Sequence, residues 1–352
     1  MFNARVVSHI LNFREPATTS RGTLATKKTW YILVHDYFIG YTGIGECSFI
    51  PDLSIDDRAD YLEKLNEVCG EINSGIPIDL LELDEFPSIA FALEVAMADL
   101  ACNTHSQNII YPSAFTAGTS GIPINGLVWM GSREYMENQI RNKISQGFDT
   151  IKLKVGALDF ETETDILSNI RKQFSPEEIT IRLDANGGFT PQNAMEKLSR
   201  LSEFSIHSIE QPIRQGQTEA MAELCRTSPI PVALDEELIG NFSISKKEEL
   251  LGTIRPQYII LKPSLIGGFA ACEGWISLAE KYGAGWWITS ALEGNIGLNA
   301  IAQWTFTLYN PMPQGLGTGQ IYSNNIESPL TISAGKLFYQ AGKSWDLNLM
   351  QW

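Results

Sequence analysis

Five charged residues recur at nearly constant intervals over residues 151–263, and each ends a short aliphatic run. They are Lys154, Asp184, Glu210, Asp235 and Lys262, separated by 30, 26, 25 and 27 residues. A strand followed by a returning helix takes about 30 residues, so this interval is typical of repeated βα units. Charged residues at the carboxyl ends of the strands of a (β/α) barrel converge on one face, which is where such barrels carry their chemistry. The spacing therefore predicts an α/β fold with an active site at that face.

The alternation of side chains within each run supports this convergence. Successive residues of a strand point to opposite sides, so Ile151, Leu153 and Val155 share one side while Lys152 and Lys154 share the other. The four later runs repeat this pattern. We expect the aliphatic side to pack under helices and the charged side to face the barrel axis. Isolated buried charges are costly, so the carboxylates and lysines at the mouth need one another and a metal ion.

Composition excludes several classes of protein. The 352 residues suit a barrel with a smaller second domain, and a hydrophobic content of 44% is typical of a globular protein. A net charge of −15 argues against nucleic-acid or anionic-membrane partners, but not against a small anionic carboxylate substrate. The five cysteines are scattered without a CxxC pair, which is typical of a reduced cytoplasmic protein. No apolar run reaches the roughly 18 residues needed to span a bilayer.

The remaining sequence predicts elements around this barrel. Residues 6–13, 29–35 and 37–47 are predicted as an antiparallel meander, with residues 16–22 as a connection and the glycines near 43–45 allowing close approach to the barrel. Helices are predicted over 56–74 and 87–103. A first barrel strand follows at 124–128, with helices near 132–146, 159–173, 191–203, 216–226, 268–282 and 295–308. Residues 285–291 are predicted to form a seventh strand, and residues 311–319 have the composition of a loop. Residues 329–352 are predicted to return to the N-terminal region as strands.

Each charged residue has an ordinary alternative role. A Lys-x-Lys pair on a strand usually faces solvent, and an Asp or Glu after a strand is usually a helix N-cap. The joint occurrence of five such positions with the same inward parity favours catalysis instead. Three carboxylates without a nearby His or Cys favour a hard cation with oxygen ligands, with Mg2+ as the default and Mn2+ as an alternative.

The five motifs together resemble the muconate-lactonizing subgroup of the enolase superfamily. The motifs are Lys-x-Lys, Asp-x-Asn, Glu-Gln-Pro, Asp-Glu and Lys-Pro, in this order and spacing, and the likeness extends over nearly the whole chain. The resemblance implies a (β/α)7β TIM-like barrel over residues 121–310. It also implies an α+β capping domain over residues 1–120, completed by residues 311–352, and a short final barrel strand.

The resemblance also implies roles for individual residues. Asp184, Glu210 and Asp235 would bind Mg2+, Lys154 would remove an α-proton, and Lys262 would stabilise the anionic intermediate from the opposite face. Substrate-binding residues would be Lys152, Arg21, Asn186, Ser264 and Ser290, with Arg21 carried on a lid formed by residues 16–22. The implied reaction is the dehydration of 2-succinyl-6-hydroxy-2,4-cyclohexadiene-1-carboxylate to o-succinylbenzoate, a step of menaquinone synthesis.

Other activities share part of this pattern. N-succinylamino acid racemases and muconate cycloisomerases use the same lysines and metal ligands, so the motifs leave both open. Dipeptide epimerases carry an Asp-x-Asp at the eighth strand, whereas residues 315–320 here contain no acid. A catalytically silent barrel that acts as a binding protein is the alternative from a different class.

Overall fold

The N-terminal part of the chain is a three-stranded antiparallel sheet covered by two helices. The computed structural model describes residues 2–19, 22–102, 108–156 and 158–350. Strands β1 (Phe2–Thr19), β2 (Gly22–Asp36) and β3 (Tyr41–Cys47) pair in the order β1-β2-β3, and helices α1 (Tyr61–Asn73) and α2 (Pro87–Cys102) follow. The predicted meander and both predicted helices are thus present. Among the residues described, no helix has both the length and the apolar character needed to cross a bilayer.

Two local expectations for this sheet are wrong. Most of the predicted 16–22 connection is strand, because β1 continues to Thr19 and Thr18 pairs with Thr23. Threonine favours strands, and a break in register between Asn12 and Ala17 accommodates the intervening residues. The close approach at Gly45 is to α2 rather than to the barrel, since a Cβ on Gly45 would lie 1.7 Å from the Ala92 carbonyl oxygen.

Residues 122–307 alternate strands and helices. The seven barrel strands are parallel and hydrogen-bonded in the order β5 to β11. In chain order the elements are β4 (Ile122–Pro123), β5 (Gly126–Val128), α3 (Arg133–Ser145), β6 (Thr150–Lys154), α4 (Phe160–Gln173), β7 (Thr180–Asp184), α5 (Pro191–Leu201), β8 (Ser208–Glu210), α6 (Thr218–Thr227), β9 (Val232–Leu234), α7 (Ile244–Ile254), β10 (Tyr258–Leu261), α8 (Pro263–Ile266), α9 (Phe269–Tyr282), β11 (Gly285–Ile288) and α10 (Asn295–Thr307). The helices α7 and α8 were not predicted.

An eighth strand of two residues closes the barrel. Gln314 forms a parallel bridge with Ile124 beside the first barrel strand, and Gly315 bridges Thr289 after the seventh. The Gln314 side chain also accepts a hydrogen bond from the Ile288 backbone N–H at 2.7 Å. The predicted (β/α)7β barrel is therefore confirmed, with its final strand as short as expected.

The side-chain alternation within the barrel strands is also as predicted. The large core that the strands share with the helices contains Ile151, Leu153, Ile181, Leu183 and their equivalents on the other strands. A separate small cluster of Ala233, Ile260 and Trp287 lies inside the barrel, on the parity of the charged strand ends. The inner face thus carries a thin apolar layer below the charged residues.

The C-terminal segment contacts both parts of the molecule. Strands β12 (Leu330–Ser333) and β13 (Lys336–Tyr339) form a sheet with β4 at the start of the barrel, not with the N-terminal sheet as we expected. Residues nearer the end do reach that sheet, since Met350 packs with Tyr31 and Leu33. The domain boundaries themselves remain a prediction.

Candidate active site

The parallel register brings the charged strand ends side by side. Lys154 of β6 is opposite Asp184 of β7, and Asp184 is opposite Glu210 of β8. Asp235 follows β9 and Lys262 follows β10, so the same edge continues across five adjacent strands. All five residues are at most 8% exposed. The predicted convergence at the carboxyl ends of the strands is therefore what the fold produces.

Ion pairs connect the lysines with the carboxylates. The Lys154 Nζ lies 2.6 Å from Asp184 Oδ2, and the Lys152 Nζ lies 2.8 Å from the same oxygen. Lys152 also donates to Glu210, and Lys262 donates to Asp235. Each buried ammonium group thus has at least one carboxylate partner, which is what charges in a water-poor interior require.

The electrostatic surroundings separate Lys154 from the other two lysines. Burial lowers the pKa of Lys154, and the neighbouring charges of Lys152 and Lys262 act in the same direction against the attraction of Asp184. Burial also opposes the charge on Lys152, but Asp184, Glu210 and Asp235 together raise the pKa of that lysine. A lysine acts as a base only when it is neutral. Lys154 is therefore the lysine of this group best suited to accept a proton.

The carboxylates are also unequal. Burial and the neighbouring charges of Asp184 and Asp235 raise the pKa of Glu210 well above its usual range. Burial opposes the charge on Asp184, but the three lysines hold the pKa of that carboxyl below its usual value. Glu210 is thus the member of the cluster with the least compensation for a negative charge.

The donor set fits a hard divalent cation. In the part of the chain that the structure describes, no three His, Cys, Asp or Glu side chains already form a metal cluster, because lysine ammonium groups lie between the carboxylates. Glu210 Oε1, however, is buried without a hydrogen-bond partner among the described residues. The Lys262 Nζ lies 3.9 Å from this oxygen, beyond hydrogen-bond distance. A carboxylate oxygen without a hydrogen bond, next to two further carboxylates, suits Mg2+, which prefers oxygen ligands.

A cavity of about 210 Å³ lies directly over this cluster. Lys152, Lys154 and Lys262 line the cavity from the barrel, whereas Asp52 is the acidic residue among its lining. Its apolar walls come from both the barrel and the N-terminal sheet, and they include Ala17, Leu24, Ile50, Leu127, Trp129 and Leu292. The cavity thus combines a cationic surface with an apolar surface large enough to contact a ring.

Comparison with known proteins places the chain in a family. A family model described as enolase C-terminal domain-like matches residues 135–342. The o-succinylbenzoate synthase of Desulfotalea psychrophila is 46% identical over 93% of this chain and 96% of its own length. The chain belongs to the o-succinylbenzoate synthase family. The predicted membership of the enolase superfamily is thereby confirmed.

Two solved structures resemble this chain, one at high and one at low sequence identity. The crystal structure of MenC from Desulfotalea psychrophila superposes with a TM-score of 0.85 at 41% identity, covering 96% of this chain and 99% of that one. A dipeptide epimerase from Cytophaga hutchinsonii, complexed with Mg and a dipeptide, gives a TM-score of 0.80 at 20% identity, covering 99% and 98%. At that identity the second likeness shows the shared fold alone.

The predicted substrate-binding residues of this o-succinylbenzoate synthase family member do not all reach the cavity. Asn186 and Ser290 line it together with Lys152. Ser264 does not line it, and its buried hydroxyl donates to Glu293, which is not part of the lining either. Arg21 lies outside the described residues.

Asn186 connects Lys154 to a carboxylate that sequence reasoning left without a role. The Asn186 Oδ1 accepts a hydrogen bond from the Lys154 Nζ at 2.7 Å, and its Nδ2 donates to Glu236 Oε1 at 3.0 Å. Because Glu236 accepts from the amide nitrogen, the amide oxygen faces Lys154. The second acid of the Asp-Glu motif was the available sequence signal for Glu236.

Sequence reasoning also missed polar and apolar residues of the cavity. Asn125 Oδ1 and Thr289 Oγ1 belong to cavity-lining residues and have no hydrogen-bond partner among the described residues. Leu127 is opposite Lys152 in the register of β5 and β6, so the same parity argument applied to the first strand would have found it. Trp129 follows two residues later with the same parity.

Proposed function

We propose that this chain catalyses the Mg2+-dependent dehydration of 2-succinyl-6-hydroxy-2,4-cyclohexadiene-1-carboxylate to o-succinylbenzoate. The observation that carries the proposal is a cavity lined by three lysines over three buried carboxylates, in a chain 46% identical to an o-succinylbenzoate synthase. The reaction removes a proton from the carbon that bears the ring carboxylate and a hydroxyl group from the adjacent carbon. Water leaves and the ring becomes aromatic.

Lys154 is the base in this proposal. Its lowered pKa favours the neutral amine that the step needs, and its bonds to Asp184 and Asn186 hold the Nζ in place. The amine takes the α-proton, and the resulting ammonium group donates a proton to the departing hydroxyl group. One residue then acts first as base and then as acid, and the enzyme returns to its starting state.

Lys152 and Lys262 stabilise the anionic intermediate. Lys262 follows the sixth barrel strand and Lys154 ends the second, so the two lie on opposite sides of an eight-stranded barrel. The carboxylates around Lys152 and Lys262 raise the pKa of both lysines against the effect of burial, so these two stay charged. Positive groups fixed where negative charge develops stabilise a transition state without reorganising.

Asp184, Glu210 and Asp235 are the residues that would hold Mg2+. The ion, when bound, supplies a positive centre that acidifies the α-carbon of a bound carboxylate and stabilises negative charge on its oxygens. The dipeptide epimerase structure with bound Mg supports this choice for the fold. The Glu210 oxygen that lacks a hydrogen bond among the described residues supports it for this chain.

Three lysines line the cavity against one acidic lining residue, Asp52, so the cavity suits a ring with two carboxylates better than a dipeptide. The segment after α10 contributes Gly315, Gly317 and Thr318 to the lining, and none of these would pair with an ammonium group. The apolar wall would contact the ring.

The decisive experiment compares kcat/KM for the cyclohexadiene acid, N-succinylamino acids and cis,cis-muconate with Mg2+ present. We expect the cyclohexadiene acid to be the best substrate, and a higher value for either of the others would refute the proposed substrate. Lys154→Ala should lower kcat for the preferred substrate by about 100- to 10,000-fold. Lys172→Ala, which removes an exposed lysine from the last turn of α4, is the matched control and should leave kcat unchanged.

A further inference from the structure

Leu292 lines the cavity in an unusual backbone conformation. It has a φ of +62°, in the left-handed region that residues with a Cβ rarely adopt. Its side chain contributes to the apolar wall of the cavity. Strained residues of this kind persist only where surrounding contacts impose the conformation, and they are concentrated at functional sites.

Two buried side chains from different parts of the chain hold Leu292 in place. Its carbonyl oxygen accepts a hydrogen bond from the Lys27 Nζ at 2.9 Å and another from the Tyr322 hydroxyl at 2.6 Å. Its backbone N–H donates to Ser290 Oγ at 3.2 Å. Hydrogen bonds therefore hold both backbone polar groups of Leu292, and two of these bonds go to its carbonyl oxygen.

Lys27 is an unusual residue for this purpose. It is 1% exposed, and burial lowers its pKa against the attraction of Glu293 and Glu46. Its ammonium group donates to Ser48 and to the backbone of the loop after β11. Burying a lysine costs free energy unless the ammonium group is hydrogen-bonded. The hydrogen bonds of Lys27 to the loop after β11 meet this need, and they also hold the loop in place.

The position of Lys27 connects the loop with the other wall of the cavity. Lys27 lies on β2, three residues after Leu24, and Gly22, Thr23 and Leu24 of the same strand line the cavity. Glu46 on the neighbouring β3 accepts from the backbone N–H groups of Gly294 and Gly297 at the start of α10. The N-terminal sheet thus holds the loop from Leu292 to the first turn of α10.

We propose that Lys27 and Tyr322 are positioning residues that hold Leu292 in its left-handed conformation and thereby set the apolar wall against which the substrate ring packs. The inference rests on the proposed function for the identity of the ring. Neither residue is placed in contact with the reacting atoms. Their loss should therefore raise KM more than it lowers kcat.

Tyr322→Phe is the first test, because it removes one hydroxyl group and leaves the ring packing intact. Loss of one hydrogen bond is worth about 1 kcal/mol, so we expect KM for the cyclohexadiene acid to rise by up to about fivefold with little change in kcat. Tyr31→Phe is the matched control, since the Tyr31 hydroxyl is equally buried but has no hydrogen-bond partner among the described residues. It should leave KM unchanged. An equal effect of both substitutions, or no effect of Tyr322→Phe, would overturn the inference.

Substitution of Leu292 tests the conformation independently. Glycine adopts positive φ readily whereas alanine does not, so Leu292→Gly should melt at a higher temperature than Leu292→Ala. Both variants should raise KM, because both lose the apolar wall. In the Leu292→Gly background, Tyr322→Phe should have almost no further effect on KM. An unreduced effect there would show that Tyr322 acts through something other than Leu292.

Failure of the inference is distinguishable from failure of the proposed function. If the wild-type protein does not turn over the cyclohexadiene acid, the function is wrong, but the difference in melting temperature between the glycine and alanine variants still tests the strain. A crystal structure of Tyr322→Phe then tests the contact directly. An unchanged φ at Leu292 with an unchanged cavity wall would refute the positioning role of Tyr322 whatever the substrate.

Discussion

Asp99 should make the stability of this protein fall as the pH rises through the mildly acidic range. Its carboxyl group is buried on α2 and accepts hydrogen bonds from the Ile44 backbone N–H at 3.2 Å and the Tyr41 hydroxyl at 3.3 Å. Burial raises the pKa of Asp99 from 3.8 to about 7, although these hydrogen bonds act in the opposite direction. The group therefore stays protonated in the folded protein over a range in which the unfolded chain loses the proton.

The sign and size of the effect follow from that difference. Below about pH 4 the group is protonated in both states and imposes no penalty on folding. Between about pH 4 and 7 the unfolded state binds fewer protons, so the free energy of unfolding falls with pH. One pKa unit corresponds to about 1.4 kcal/mol, so the change from 3.8 to about 7 amounts to about 4 kcal/mol once the pH exceeds 7.

Asp99→Asn provides the measurement, because the amide cannot ionise. Urea unfolding of wild type and variant from pH 4 to pH 8 should show the variant gaining up to about 4 kcal/mol relative to wild type as the pH rises. Asp79→Asn, at an exposed position in the same part of the chain, controls for the substitution itself. A difference between wild type and Asp99→Asn that stays constant across this range would refute the reasoning.

Three further predictions concern the active site. Lys154→Ala should lower kcat by about 100- to 10,000-fold, the usual contribution of a positioned acid/base group, whereas Lys152→Ala should mainly weaken substrate binding. Steady-state kinetics separate these two effects, and near-normal turnover in Lys154→Ala would exclude Lys154 as the base. Mg2+ binding, measured by titration calorimetry, should be weaker in each of the variants Asp184→Asn, Glu210→Gln and Asp235→Asn, and their circular dichroism spectra should remain those of a folded protein. Full activity of wild-type protein treated with a chelator would contradict the metal assignment. Arg21→Ala should raise KM for the anionic substrate with an unchanged melting temperature, and a lower melting temperature with unchanged kinetics would favour a purely structural hairpin.

The barrel could be predicted from the sequence because the spacing of its charged residues equals the length of one strand and its returning helix. Each strand must bury an aliphatic face and return through a helix, so the charged residues Lys154, Asp184, Glu210, Asp235 and Lys262 recur at the length of that unit. Alternation within the strands then determines which side chains face the axis. Helix α7 was not predicted, although Ser243 caps it and Leu251 and Ile254 are buried on one face.

Features that depend on distant contacts were less accessible from the sequence. The eighth strand is two residues long, and its place is defined by the bridges of Gln314 and Gly315 to the first and seventh strands. No local pattern predicts so short an element. Ser264 has the right position after β10, but its hydroxyl donates to Glu293 and the residue is not part of the cavity lining. Lys27 looks like a surface lysine in sequence, and only the packing of the N-terminal sheet against the barrel reveals its burial.

The charges around the cavity lead to a last prediction, on the coupling of metal and ligand. A product such as o-succinylbenzoate brings two carboxylates to a surface beneath which Asp184, Glu210 and Asp235 are already buried. Without a divalent cation, the three lysines must compensate both sets of negative charges. We therefore expect Mg2+ and o-succinylbenzoate to increase each other's affinity, by the 1–3 kcal/mol that is typical of coupled sites, or about 5- to 150-fold.

Titration calorimetry of o-succinylbenzoate with and without Mg2+ measures this coupling. Reciprocity requires the same factor when Mg2+ is titrated into the protein with and without the product. Benzoate, with one carboxylate, serves as the matched ligand and should show a smaller factor, because it brings half the added negative charge. Equal affinity for o-succinylbenzoate in the presence and absence of Mg2+ would mean that the lysines alone balance the ligand. In that case the three carboxylates would serve to hold the lysines in place and not to bind a metal.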